Sequence, residues 1–317
     1  LRHHHITTNG ITLHVAELGS GPAVLFCHGF PALGSSWRAQ MEAVATAGWR
    51  ALAPDMRGYG GSDAPQAAEL YSPFYTVGDL VGLLDHFGLE TAVIAGHDFG
   101  ASIAWNAAMM RPDRFSAVFG ISVPFVQPGG PSFLDRLRAE GRADFYMFRQ
   151  MRPEADADWA DAHETVPGML YWTSGHAPEA LRWDPFDPHR SLLRPAPAAE
   201  ALSWLDPDYL DEAIGSFSRN GFHGPLNYYR AIDPFFAAAS GLYAGAVIRQ
   251  PSWFLTGALD GLNAVRQPTE AGLRAVLPGL VGFTVLEGTG HWPQLEAPEA
   301  LNETLIGFLE ELALVFG

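Results

Sequence analysis

The decapeptide VIAGHDFGAS, Val93 to Ser102, constrains this chain more than any other stretch. Two β-branched residues and an alanine lead into Gly96-His97-Asp98-Phe99-Gly100-Ala101, and the alanine-rich run SIAWNAAMM follows, so a strand must turn sharply into a helix. Gly96 and Gly100 stand on either side of the turn, where residues without a Cβ let the backbone bend tightly. Such a turn holds its central side chain up in the open at the end of a strand. Here that side chain is a carboxylate, Asp98, rather than a hydroxyl.

The segments around the turn say what sheet it belongs to. Residues 6–18 read as two strands joined by Asn9-Gly10, a pair that tolerates positive φ and favours a tight hairpin. AVLFCHGF is a continuous apolar run, as expected for a strand covered on both faces. A helical stretch ending at Gly48, the strand WRALAPDM, a helix over about 76–87, the strand AVIAG, the turn and its helix, and the strand AVFGISV complete a βαβα alternation. That order predicts an α/β chain with a mostly parallel, doubly wound sheet. From about Pro124 only helical or irregular patterns appear, until PSWFLTG and FTVLEGTG resume the strand code and PEALNETLIGFLEELALVF closes with a helix. The expected organisation is a core from residues 1–125 and 241–317, with a mainly helical cap, 126–240, inserted over the carboxyl edge of the sheet, where sites in open α/β sheets lie. RPAPAAEA, 194–201, reads as a mobile loop.

Composition narrows the partners. With 317 residues, 48% hydrophobic and 12% aromatic, the chain can bury a large core. It carries 35 acidic against 19 basic residues, a net of −16, and all its basic residues other than histidine are arginine. That field disfavours nucleic acid, membrane surfaces and strongly anionic substrates. A single cysteine, Cys27, no apolar run of signal-peptide length and none long enough to span a bilayer make a cytoplasmic location the expectation, with a homodimer left open. His3, His4 and His5 are expected in a frayed terminus without a metal.

Two further residues join Asp98. His291, in LEGTGHWPQLEAPE, and Asp260, in FLTGALDGLN, each follow an expected strand, so the chain order is nucleophile, acid, histidine at one sheet edge. Asp98 is ionised at neutral pH and needs no activation; its natural target is a saturated carbon bearing a leaving group, and the product is an alkyl ester. His291, oriented by Asp260, would deprotonate a water that attacks that ester. The backbone N–H groups of Phe99 and Phe30 are placed to receive the resulting oxyanion. If the leaving group is an epoxide oxygen, a proton donor must meet the developing alkoxide, and Tyr146 and Tyr229 in the cap segment stand out, since a phenol has a pKa near ~10. No metal or organic cofactor is required. The cap aromatics Trp172, Phe186, Trp204 and Phe217 could wall an apolar pocket, although packing within the cap accounts for any single one.

With these residues in place, the sequence resembles the soluble epoxide hydrolases of the α/β-hydrolase fold, close to the catalytic domain of soluble epoxide hydrolase. CHGFPALGSSWRAQMEAVATAGWRALAPDMRGYGGSDAP, AGHDFGAS, GFHGPLNYYR, LTGALDGLN and GTGHWPQLEAP carry the resemblance over nearly the whole chain. It implies Asp98 as nucleophile, Asp260 and His291 as the water-activating pair, Phe30 and Phe99 as oxyanion-hole amides, and Tyr229 as one cap tyrosine. Tyr146 looks like the other, with a register shift of a residue or two allowed by FRQMRP. It also marks Phe30-Pro31 as a candidate cis peptide. Phe99 and Tyr228 replace tryptophans frequent in the family, and Tyr228 leaves a second phenol beside Tyr229. The implied substrate is a small, mostly apolar epoxide. A haloalkane or haloacid dehalogenase shares the aspartate, acid and histidine and is the nearest alternative; a non-catalytic binding protein that keeps the pocket is the other.

Overall fold

The computed structural model describes residues 1–265 and 267–316. Its strands are β1 (Arg2–Thr8), β2 (Ile11–Gly19), β3 (Ala23–Cys27), β4 (Arg50–Pro54), β5 (Ala92–His97), β6 (Phe115–Ile121), β7 (Ser252–Gly257) and β8 (Leu280–Leu286). They form one eight-stranded sheet in the order β1-β2-β4-β3-β5-β6-β7-β8. β1 and β2 pair antiparallel through a turn in which Asn9 and Gly10 both have positive φ, 47° and 79°, and every pairing from β4 to β8 is parallel.

Alternation along the central strands splits the core into two apolar layers. Leu25, Ile94 and Val118 point to one face, with Leu80 and Leu83 of α2 (Pro73–His86) and Ile103 of α3 (Phe99–Met110). Val24, Val93 and Phe119 point to the other, with Met41 of α1 (Arg38–Thr46) and Leu305 and Phe308 of α13 (Pro298–Phe316). Burial on both faces explains why these strands read as unbroken apolar runs.

Between β6 and β7 the chain makes only helices and loops: α4 (Phe133–Ala139), α5 (Tyr146–Gln150), α6 (Ala155–Asp158), α7 (Ala162–Trp172), α8 (Pro207–Asn220), α9 (His223–Arg230) and α10 (Ile232–Leu242). After β7 come α11 (Glu270–Arg274), α12 (Pro293–Glu296) and α13. No helix among the described residues is long and apolar enough to cross a membrane.

One expectation changes here. The N-terminal histidines are not frayed: all three lie in β1, His3 stacks on His14 with centroids 5.1 Å apart, and His4 meets the Glu17 carboxylate at 2.6 Å. Buried Ile6 docks the strand, and its neighbours follow into register opposite β2. Residues 194–201 are pinned at one end, where the Trp172 indole donates to the Pro195 carbonyl at 3.0 Å and the Arg194 guanidinium lies 4.0 Å over the Trp172 ring.

Candidate active site

β5 ends at His97 and α3 begins at Phe99, so Asp98 is the whole connection. It takes φ 55° and ψ −120°, a region that costs a non-glycine residue on the order of 1–3 kcal/mol. The flanking glycines serve a purpose other than the expected bend, for neither has positive φ. A Cβ on Gly96 would collide with the Gly100 carbonyl, one on Gly100 with the Cys27 carbonyl, and one on Gly29 with the Asp98 side chain. The strained aspartate is thus gripped by backbone packed too closely to admit side chains.

Its carboxylate is buried. The Phe30 N–H donates to Oδ1 at 2.9 Å, and the Phe99 amide, next in the chain, also favours the ionised carboxylate. The Phe30-Pro31 peptide is cis. His291 Nε2 stands 3.7 Å from Asp98 Oδ2, while its Nδ1 is 3.0 Å from Asp260 Oδ2. The other Asp260 oxygen accepts the Leu262 N–H at 2.9 Å, which fixes that carboxylate from both sides. Burial pushes the Asp98 carboxyl above its ordinary range, against the pull of His291 and the two amides. Burial alone would make His291 less basic, but the Asp260 and Asp98 carboxylates outweigh it and raise the imidazole above its ordinary value.

The histidine is held by residues that sequence reasoning missed. Its N–H donates to the Thr173 carbonyl just after α7, at 2.9 Å. Its carbonyl accepts from His97 Nε2 at 2.7 Å and from the Ser122 hydroxyl at 3.2 Å. A carbonyl only accepts, so the His97 proton sits on Nε2, and Nδ1 accepts from the Gln294 amide at 3.1 Å. Burial, then the neighbouring His291, keep His97 far below its ordinary pKa, hence neutral. The only available signal was adjacency: His97 precedes Asp98.

Asp98, Phe99, Tyr146 and Tyr228 line a cavity of about 220 Å³. The Tyr228 hydroxyl is committed, donating to the Arg57 carbonyl at 3.0 Å. Tyr229 packs edge-on against Phe99 at 4.7 Å, against Phe30 at 5.4 Å and against Tyr146 at 6.2 Å. Burial raises both phenols well above their ordinary pKa, so both stay protonated at neutral pH. The pocket wall is not the one expected. Trp172, Phe186, Trp204 and Phe217 lie elsewhere, Trp204 stacked on His176 and Phe217 on Phe222, and the lining aromatics beyond Tyr71, Tyr146 and Tyr228 include Phe99, Trp105, Phe125, Phe133, Phe235 and Phe236. Two other cavities, of about 370 and 300 Å³, do not include Asp98. Among the described residues no cluster of three or more histidine, cysteine or acidic side chains could hold a metal.

A strand-turn-helix aspartate, an acid after β7 and a histidine after β8 define a class, and comparison agrees: residues 22–298 match the α/β hydrolase fold family, to which this chain belongs. An epoxide hydrolase of Caballeronia sordidicola is 54% identical, over 99% of this chain and 95% of the relative. Among solved structures, an epoxide hydrolase from an endophytic Streptomyces superposes with a TM-score of 0.90 at 36% identity, covering 98% of this chain and 96% of that one. Epoxide hydrolase A of Mycobacterium thermoresistibile gives 0.86 at 38%, covering 98% of each chain. Within the family, this chain falls among the epoxide hydrolases.

Proposed function

We propose that this epoxide hydrolase opens a neutral, mostly apolar epoxide to a vicinal diol through an ester on Asp98. The observation that carries the reading is that the Asp98 carboxylate and Tyr146 line one cavity, with the Tyr229 ring packed edge-on against that of Tyr146 behind it. Asp98 Oδ2 attacks an epoxide carbon, the C–O bond breaks, and the departing oxygen takes a proton from the tyrosine pair. A hydroxyalkyl ester results. His291 Nε2 then takes a proton from water, whose oxygen adds to the ester carbonyl. Negative charge develops on Oδ1, where the Phe30 amide already donates at 2.9 Å, an arrangement needing no reorganisation when charge appears. Collapse frees the diol, whose departing oxygen takes the proton of the imidazolium, and leaves the water oxygen in Asp98; the second water proton, left on the Asp98 carboxyl, passes to the tyrosinate and restores both groups.

Among the described residues the cavity lining contains no arginine, lysine or histidine, and its one charge is Asp98 itself. An anionic substrate would enter with nothing to offset its desolvation, so a neutral one is favoured. The residues 126–240 act as the cap, with α10 extending two residues past that limit. Buried Cys27 fits a reducing compartment, and we place the reaction in the cytoplasm. Against dehalogenation stands the side chain after the nucleophile, Phe99, which offers no N–H to a halide.

The test is Tyr146→Phe and Tyr229→Phe assayed for diol from a small aryl epoxide and for halide from a haloalkane. Loss of a general acid should lower epoxide turnover by about 10²-fold in at least one variant. Unchanged epoxide turnover, or halide release by the parent enzyme, would favour the dehalogenase reading.

A further inference from the structure

The Glu296 side chain has no part in the steps above, yet it joins the cap to the histidine loop. Its Oε2 accepts the Gly290 N–H at 2.9 Å and the Gly175 N–H at 2.8 Å, and its Oε1 accepts the Trp292 N–H at 2.9 Å. Gly290 and Trp292 flank His291, and the His291 N–H goes to the cap residue Thr173. Three consecutive amides of this loop are therefore anchored, two on one carboxylate and one on the cap.

The junction is closed further by contacts that only small residues allow. A Cβ on Gly175 would overlap the Gly288 carbonyl, and one on Gly290 would overlap the Gly175 amide. The Trp292 indole donates to the Thr173 hydroxyl at 2.6 Å, and that hydroxyl donates to the Met169 carbonyl at 2.7 Å, so the loop is stitched to the last turn of α7.

We propose that Glu296 is a positioning residue for the water-activating histidine, clamping the His291 loop to the end of α7 so that the base is in place only when the cap is seated. It acts through backbone and never touches the reacting atoms. Its effect should fall on ester hydrolysis, which needs the imidazole, and not on ester formation, which needs Asp98 and the phenols. The burial of Glu296 raises its own pKa against the three amides, and its negative charge adds to the basicity of His291. Removing that charge without changing shape should therefore also move the acid limb of hydrolysis to lower pH.

The inference rests on the Asp98 ester, and the experiment separates the two. Parent and Glu296→Gln enzymes are mixed in excess with a small aryl epoxide, quenched at intervals, and the esterified fraction is followed by intact-protein mass over a range of pH. A carboxamide presents an N–H₂ to at least one of the three amides, so the loop should shift. Displacement of the base slows ester decay by roughly tenfold to a hundredfold, while ester formation stays within about twofold and the acid limb of decay moves down. Equal slowing of both steps, or decay with unchanged rate and pH profile despite a lowered melting temperature, would overturn the clamp. Absence of ester in the parent enzyme would instead overturn the reading on which it rests. Should Glu296→Gln not fold, Thr173→Val, which removes the acceptor for the Trp292 indole, should slow decay selectively by a smaller factor. No effect on decay in that variant would equally count against the clamp.

Discussion

In the proposed reaction the turn at Asp98 and the loop at His291 deliver two halves, and they are built by opposite means. The Asp98 turn is fixed by sterics: a positive φ at Asp98, and glycines at 96, 100 and 29 where a Cβ would strike neighbouring atoms. The His291 loop is fixed chiefly by hydrogen bonds to Thr173, Glu296, His97 and Ser122. A steric grip is all or nothing, because close-packed backbone cannot yield by parts. A hydrogen-bonded grip is graded, since each bond contributes about 1 kcal/mol and can be weakened singly.

Substitution of the two reacting side chains should break the pair most sharply. Asp98→Ala should remove both ester formation and turnover, by about 10⁴-fold or more, as loss of a covalent nucleophile does. His291→Gln should leave ester formation largely intact and let the ester accumulate; rapid-quench mass analysis distinguishes the two, and a His291 variant without ester would erase the division of labour. Next in size is Gly100→Ala. Its methyl would meet the Cys27 carbonyl, which cannot move aside as a side-chain tip can, so thermal or urea unfolding should show a loss of about 3 kcal/mol. A loss under 0.5 kcal/mol would show that the elbow yields after all.

The smallest effect is in the pH dependence. An imidazole ordinarily titrates near 6.5 and an aspartate near 3.8, His291 lies above its value, and its positive charge pulls Asp98 down against burial, so on acidification the imidazole protonates first. A protonated His291 cannot take a proton from water, whereas an ionised Asp98 can still attack. Ester should therefore build up as pH falls, before its formation fails. Esterification also removes the Asp98 charge that helps raise His291, so the acid limb of ester decay should lie below the free-enzyme titration of His291 read by NMR. Coincident limbs would mean that Asp98 contributes nothing to that basicity.

The same contrast explains what could be read from the chain. The strand, Asp98 and the helix were legible because the steric code is local, spread over ten residues, and the apolar runs of β3 and β5 fixed which sheet they entered. Asp260 and His291 were legible through position after a strand. Their fastening was not: Thr173 lies 118 residues before His291 and Ser122 lies 169 before it, and hydrogen bonding to a backbone leaves no sequence pattern. The glycines were found but given the wrong reason, since bend and close approach look alike in a sequence. Which aromatics wall the pocket was not legible, because an aromatic in a helical segment can face either the cavity or its neighbours: Trp204 stacks on His176 while Phe235 and Phe236 line the site. The histidines of β1 were misread because pairing with β2 overrides a polar composition.

The central claim is that Asp98 is esterified and then hydrolysed. It is tested most directly by a single turnover of excess enzyme with a small aryl epoxide in oxygen-18 water, with mass analysis of the diol and of the peptide that contains Asp98. The account predicts an unlabelled first-turnover diol and oxygen-18 in Asp98. Label in the diol with none in Asp98 would mean that water attacks the epoxide directly, and the role given to Asp98 would be wrong.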